Sequence, residues 1–80
     1  NYKGIISIYY QKMSNTTPKY VIKQEIGPSH NKIYIIDLID DNDNIIGSGS
    51  HTTKRGAEML AAHNAINKLN INIENISLNL

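Results

Sequence analysis

The apolar residues of this chain recur at two different spacings, and these spacings predict where its helices and strands lie. Residues 2–13 carry apolar side chains three and four positions apart, which is typical of a helix with one buried face. Residues 52–69 repeat this pattern, and the hydroxyl of Thr53 is placed to cap the helix start. The second apolar stripe is mostly alanine, so it predicts a helix that another layer of the fold approaches closely.

Between the two helices the apolar spacing changes to every second residue, which is the spacing of β-strands. Three strands are predicted, over residues 20–26, 33–39 and 44–49, with Gly, Pro, Asn and Asp in the turns between them. Links this short favour antiparallel pairing. The predicted fold class is therefore α+β in the order α-β-β-β-α. It has a three-stranded antiparallel sheet with both helices packed on one face.

The helical spacing also divides the first helix into two faces. The predicted core face consists of Tyr2, Ile5, Ile6, Tyr9, Tyr10 and Met13. The predicted outer face consists of Gly4, Ser7, Ile8 and Gln11. In the third strand, Gly47 and Gly49 are expected to loosen the end of the strand.

The chain is expected to contain one domain, at residues 1–69, followed by an extension at residues 70–80. Apolar and polar residues alternate in the extension. Its apolar members are Ile71, Ile73, Ile76, Leu78 and Leu80. This alternation fits a strand, a packed extension or a disordered end, and these alternatives stay open.

Composition excludes several classes of site. With 80 residues and no cysteine, the chain has one small core, no disulfide and no thiolate metal site. No segment is long and apolar enough to span a membrane, and no signal-peptide pattern is visible. We therefore expect an intracellular protein with no membrane partner and no small-molecule ligand.

The formal net charge is only +1, so the distribution of charge says more than its sum. Lys54 and Arg55 lie in the first turn of the second predicted helix, where the helix dipole disfavours cations. Two cations beside free backbone N–H groups fit an anion that docks at this end, whereas for a Lys-Arg pair taken alone a solvated helix start is the simpler interpretation. The acids gather elsewhere, at Asp37, Asp40, Asp41 and Asp43.

These acids do not predict a catalytic or metal site. In a calcium-binding loop, Ile45 and Ile46 would occupy a ligand position and the glycine position. A two-metal nuclease site needs carboxylates that converge from several elements, whereas these lie in one predicted turn. Three scattered histidines without cysteine also make a poor zinc site. We predict no catalytic residue, no metal ligand and no cofactor in this chain.

Four motifs occur in order along residues 1–69. They are Asn1-Tyr2-Lys3, then Pro18-Lys19-Tyr20, then Gly27-Pro28-Ser29-His30 followed by Tyr34, and finally Gly49 to Glu58 with its Thr53-Lys54-Arg55-Gly56-Ala57 run. Together and at this spacing they resemble the double-stranded RNA-binding domain. The likeness is greatest to the module at the C-terminal end of ribonuclease III.

The resemblance implies three contact regions on one side of an A-form duplex of about 16 base pairs. The first is the outer face of the first helix, at Gly4, Ser7, Ile8 and Gln11. The second is the loop after the first strand, at Pro28, Ser29 and His30. The third is the start of the second helix, at Thr53, Lys54 and Arg55. Only phosphates are accessible in the deep RNA major groove, so these contacts imply recognition of shape rather than sequence.

Two functions follow from the resemblance. The first is sequence-tolerant binding of double-stranded RNA for a ribonuclease III-type endoribonuclease. Its catalytic carboxylates, magnesium and homodimer contacts would lie in a separate domain. The second is a protein-interaction or dimerisation module of the same fold with weakened RNA binding. Ile8, which the helical wheel places at the surface, and the apolar tail favour the second function, whereas Lys54, Arg55 and His30 favour the first. Ser7 and Ile8 also depart from the family pattern, which usually has Gln and Glu at these positions. His51 also replaces a glycine of the family pattern.

Overall fold

The computed structural model describes residues 1–74, and they form the predicted order of helices and strands. The elements are α1 (Tyr2–Ser14), β1 (Lys19–Ile26), β2 (Ile33–Ile39), β3 (Ile45–His51) and α2 (Lys54–Lys68). The three strands form one sheet in the order β1-β2-β3, and both pairs are antiparallel. The predicted α+β class and strand order are confirmed. Residues 75–80, on which part of the predicted extension falls, lie outside the described residues.

Short polar side chains set the starts of both helices. The side chain of Asn1 accepts a hydrogen bond from the backbone N–H of Gly4 at 3.2 Å. The Thr53 hydroxyl accepts from the backbone N–H of Gly56 at 3.0 Å, which confirms the predicted cap of α2. Each bond satisfies a first-turn donor that has no partner inside its own helix.

The end of α2 joins the following segment to the core. Asn70 takes a left-handed conformation, with φ of 53°. The N–H of Ile71 then donates to the carbonyl oxygen of Ile66 at 3.1 Å. The N–H of Asn70 donates to the carbonyl oxygen of Asn67. This is the Schellman arrangement, in which an apolar residue after the turn packs back on the helix. Ile71 accordingly belongs to the buried core.

Glycines in β3 allow α2 to lie directly on the sheet. A Cβ atom at Gly47 would lie 2.3 Å from the carbonyl oxygen of Ala61. A Cβ atom at Gly49 would lie at the same distance, 2.3 Å, from the carbonyl oxygen of Ala57. The expectation that these glycines loosen the strand end is wrong, because they remove the atoms that would hold the helix away. The alanine stripe of α2 provides the matching small surface, as the sequence predicts.

The core lies between α2, the sheet and α1. Ile6 of α1, Leu38 of β2 and Ala62 of α2 belong to one buried cluster, so both helices pack on one face of the sheet. The predicted core face of α1 is partly wrong: Met13 is 68% exposed, because it lies in the last turn of α1, near the helix end. Tyr2 is also partly exposed, and its ring stacks on His63 of α2 at 4.4 Å.

The alternation of β1 changes phase in the middle of the strand. Ile22 pairs with Ile36, whereas the next paired residue, Gln24, lies opposite Ile35, so Lys23 forms a bulge. A bulge inserts one unpaired residue and reverses which side chains face each side. Glu25 is therefore the cross-strand partner of Tyr34 and lies on the helix side of the sheet.

The opposite side of the sheet contains a buried acid. Asp37 is 7% exposed and accepts a hydrogen bond from the Ser48 hydroxyl at 2.8 Å. Asp37 therefore does not belong with the acids of the exposed turn, although the sequence places it with them. Asp40 remains in that turn, where its carboxylate accepts from the backbone N–H groups of Asn42 and Asn44. These bonds lower the pKa of Asp40.

Candidate nucleic-acid interface

The start of α2 presents two exposed cations from a well-fixed position. Lys54 and Arg55 are exposed, and the first turn contains no acid. The Nδ1 atom of His51 accepts from the backbone N–H of Thr53 at 3.1 Å. The His51 ring fills the space that a Cβ of Gly56 would need, at 2.3 Å from Nδ1. The histidine at position 51 thus helps to fix the turn before the helix, while the cations remain free to meet an anion.

The loop between β1 and β2 is a tight turn that carries His30 outwards. Gly27 has φ of +94°, and a Cβ there would lie 2.7 Å from the carbonyl oxygen of Asn31, so glycine is required on both counts. The carbonyl of Pro28 accepts from the N–H of Asn31 at 2.9 Å. Pro28, Ser29 and His30 are exposed. The loop conformation is therefore fixed by local bonds, with the three predicted contact residues at its surface.

The outer face of α1 is the least polar of the three regions. Ser7 and Gln11 are exposed, but the Nε2 of Gln11 already donates to the Asn15 side chain at 2.5 Å. Gly4 is half-buried. Ile8 is half-buried too and packs against the core cluster, so it is less exposed than its predicted place on the outer face implies. The physical reason is that the apolar face of α1 is wider than the helical wheel suggests.

A groove of about 310 Å³ runs along this face of α1. It is lined by Ser7, Ile8, Gln11, Lys12 and Thr17. Three of the four predicted contact residues of α1 therefore surround one concave surface, and Lys12 adds a cation to it.

An ion pair connects the starts of the two helices. Lys3 of α1 donates to the carboxylate of Glu58 in α2 at 2.5 Å. The same ammonium lies 4.9 Å from the ring centroid of Tyr20 in β1. A second groove, of about 490 Å³, is lined by Asn1, Lys3, Arg55 and Met59. The start of α1 and Arg55 of the third predicted region therefore border one groove, and the Lys3–Glu58 pair connects the two helices beside it.

Burial and charge both act on Tyr20. Loss of solvent, with a smaller contribution from the nearby Glu58 carboxylate, raises the pKa of Tyr20 to about 12. Its buried hydroxyl has no hydrogen-bond partner among residues 1–74. Tyr20 is thus an apolar support beneath the Lys3–Glu58 pair.

With this geometry established, comparison with known sequences identifies the family. Residues 2–69 match the sequence profile of the family described as Double-stranded RNA binding motif. The chain belongs to this family. The fold, the capped α2 and the Gly-Pro-Ser-His loop of this RNA-binding domain agree with the resemblance seen in the sequence.

Several curated proteins are similar to this RNA-binding domain. Ribonuclease 3 of Borreliella burgdorferi is 36% identical over 78 residues, which cover 98% of this chain and 30% of that protein. Ribonuclease 3 of Listeria monocytogenes is 39% identical over 69 residues, which cover 86% of this chain and 30% of that protein. A probable ribonuclease 3 of Acanthamoeba polyphaga mimivirus is 33% identical over 76 residues, which cover 92% of this chain and 14% of that protein. The chain spans less than a third of the length of these relatives.

A second ion pair lies beside the third region of the RNA-binding domain. Lys32, just before β2, donates to the Glu25 carboxylate at 2.8 Å. The Lys54 ammonium lies 5.7 Å from the ring centroid of Tyr34, the cross-strand partner of Glu25. The pKa of Glu25 is lowered mainly by the hydrogen bond from Lys32. The positive charge of Lys54 lowers it further. The same bond raises the pKa of Lys32. The sequence motifs include Lys3 but not Lys32, and only the folded chain shows the partners of these two lysines.

Neither a metal-holding group of side chains nor a membrane-spanning helix occurs in the described part of the chain. Within residues 1–74, no three side chains of His, Cys, Asp or Glu are grouped closely enough to hold a metal ion. None of the helices described for these residues has the length and apolar character needed to cross a membrane. The predicted absence of a cofactor stays a prediction.

Proposed function

We propose that this domain holds double-stranded RNA as the substrate-binding module of a ribonuclease III-type endoribonuclease. The observation that carries the proposal is the exposed Lys54–Arg55 pair at a capped helix start, next to a locally fixed Gly-Pro-Ser-His loop. Membership of the double-stranded RNA-binding family supports the choice of duplex RNA as the anion.

Each region has a separate task in this proposal. Lys54 and Arg55 contact phosphates at the rim of the major groove, where RNA offers little else to side chains. His30 enters a minor groove from its loop, where 2′-hydroxyls are within reach of an imidazole. Ser7 and Gln11 of α1 contact a second minor groove. The Lys3–Glu58 pair connects α1 to α2, and packing in their shared core holds the two helices at one spacing, so the domain recognises the A-form shape as a unit.

Cleavage would be the task of a separate catalytic domain. The similar curated proteins are named ribonuclease 3, and this chain spans only part of them. Hydrolysis of a phosphodiester in such enzymes uses metal ions held by converging carboxylates. We propose that magnesium, the catalytic carboxylates and any homodimer contact belong to the parent protein outside these residues.

Fluorescence anisotropy with two labelled duplexes tests the proposal. One is RNA of about 20 base pairs, and the other is DNA of the same sequence at the same salt concentration. We expect tighter binding of RNA, because the A-form groove spacing and the 2′-hydroxyls are absent from B-form DNA. A second RNA duplex of unrelated sequence should bind equally well. Equal affinity for RNA and DNA would overturn the proposal.

The structure gives little support to the alternative of a protein-interaction module. One of the two sequence features that favoured it was an exposed Ile8, but this side chain packs partly against the core. An apolar residue that is already half-buried offers less surface to a partner protein.

A further inference from the structure

One acid of the domain lies between two cations on the side of the sheet that faces α2. Because Lys23 forms a bulge, Glu25 points to the same side as its cross-strand partner Tyr34. The ammonium of Lys32 is 2.8 Å from the Glu25 carboxylate, and Lys54 lies over the Tyr34 ring. Lys32 therefore belongs to the same charged surface as the start of α2, although it comes from the other end of the β1–β2 loop.

The Glu25–Lys32 pair is at the surface rather than in the core. The side chains of Glu25 and Lys32 are 40% and 33% exposed. Exposed ion pairs contribute little net free energy, so the Glu25 carboxylate can be removed without loss of the fold, and Lys32 is then available to another anion. A phosphate that approaches Lys32 must also approach the negative charge of Glu25. The same carboxylate thus occupies the lysine and repels its ligand.

We propose that Lys32 is a further phosphate-binding residue of the RNA interface and that Glu25 masks it. This inference rests on the proposed function and adds a cation to it. In the free domain Glu25 neutralises Lys32, so duplex binding gains little from that lysine. Removal of the acid frees Lys32 for a phosphate. Glu25 therefore limits the affinity of the domain for duplex RNA.

Four proteins test the masking: the parent, Glu25→Gln, Lys32→Gln and the double variant. The affinity of each for one RNA duplex is measured over a range of salt concentrations. Glu25→Gln should bind about fivefold more tightly at low salt, the size expected for one exposed charge at contact distance. Its plot of log affinity against log salt should steepen by about one unit, because one more phosphate contact releases counterions.

The Lys32 variants decide whether the gain acts through this lysine. Lys32→Gln alone should change the affinity by less than about twofold, because Glu25 already masks that charge. In the Glu25→Gln background, the same change should remove the whole gain in affinity and in salt slope. A gain that persists in the double variant would overturn the assignment, because Glu25 would then act on Lys54 instead.

A matched control separates local masking from net charge. Asp41→Asn adds the same unit of charge in the turn between β2 and β3, at the other end of the β2 strand. It should leave the affinity within about twofold of the parent, since exposed charges more than about 10 Å from a contact are screened. An Asp41→Asn gain equal to that of Glu25→Gln would overturn the masking. Circular dichroism confirms that each variant is folded.

Failure of this inference can be distinguished from failure of the proposed function. If the parent binds RNA in preference to DNA and Glu25→Gln binds no better, the masking is wrong and the proposed function stands. If the parent shows no preference for duplex RNA, both are wrong.

Discussion

At the scale of single residues, the most informative side chain is one that contacts no ligand in the proposed function. Tyr20 lies beneath the Lys3–Glu58 pair with its hydroxyl buried, and both burial and Glu58 disfavour its ionised form. The pKa of the phenol therefore reports mainly on the burial of Tyr20 beneath the ion pair. The sequence identifies Tyr20 as part of a motif, but the ion pair above it is visible only in the fold.

Absorbance at alkaline pH measures this effect directly. We expect one of the five tyrosines to titrate at about pH 12. The late step should vanish in Tyr20→Phe, which has the same ring without the ionisable hydroxyl. A parent titration curve without a late step of this kind would contradict the burial of Tyr20.

The raised pKa of Tyr20 also predicts that the folded state loses stability as the pH rises above 10. The pKa of Tyr20 is raised in the folded state, to about 12 from the ordinary 10.0. Its contribution is therefore fully present below pH 10 and is lost as the pH rises towards 12, because the unfolded chain releases the proton first. Urea unfolding should show a smaller loss of stability over this range in Tyr20→Phe than in the parent. Equal losses would exclude a shift at this residue.

At the scale of elements, the contact between β3 and α2 determines how the RNA interface is held. Gly47 and Gly49 face Ala57 and Ala61 so closely that only hydrogen atoms fit between the two backbones. Since α2 carries Lys54 and Arg55 at its start, the packing of α2 on the sheet determines the position of these residues relative to the β1–β2 loop. Glycine and alanine are thus required here for closeness of approach rather than for flexibility.

Gly49→Ala should therefore be strongly destabilising. Its methyl group would lie 2.3 Å from the Ala57 carbonyl oxygen and 2.6 Å from the Ala61 nitrogen, both of them backbone atoms. Such overpacking should cost about 3 kcal/mol or more, as measured by urea unfolding. Gly4→Ala is the matched control, because its Cβ meets only the Asn1 side chain, at 3.2 Å. The control should gain up to about 1 kcal/mol from helix propensity. Similar stabilities for the two variants would contradict the close contact.

At the scale of the whole molecule, the surface proposed for RNA is assembled from separate parts of the chain. The Lys3–Glu58 pair connects α1 to α2, and the Glu25–Lys32 pair connects the end of β1 to the residue before β2. Lys54 at the start of α2 lies over the ring of Tyr34, the cross-strand partner of Glu25. A formal net charge of +1 is thus compatible with polyanion binding, because cations from several elements meet on one surface.

Salt dependence tests whether that surface contacts phosphate. Lys54→Ala and Arg55→Ala should each weaken binding to all RNA duplexes and reduce the salt slope by about one unit. Lys68→Ala, at the opposite end of α2, removes the same charge and should leave the slope unchanged. Stability should barely change in any of the three variants. An unaltered slope in both Lys54→Ala and Arg55→Ala would exclude the third region from the interface.

The sequence by itself determined the order of elements, the cap at Thr53 and the exposed Pro28-Ser29-His30 loop. These features depend on local spacing, short polar caps and turn residues, whose effects act within a few positions of the chain. It also determined the family, because the motifs lie at fixed distances along residues 1–69. The alanine stripe of α2 predicted a close neighbour, although not which one.

Only the tertiary structure decided which side chains meet. The bulge at Lys23 reverses the alternation of β1 and brings Glu25 to the helix side, which a regular period of two cannot predict. Ile8 and Ile71 join the core because of how the helices pack, and Gly47 and Gly49 acquire their role only when α2 lies on them. Each of these features depends on residues far apart in the sequence, so no local pattern contains it.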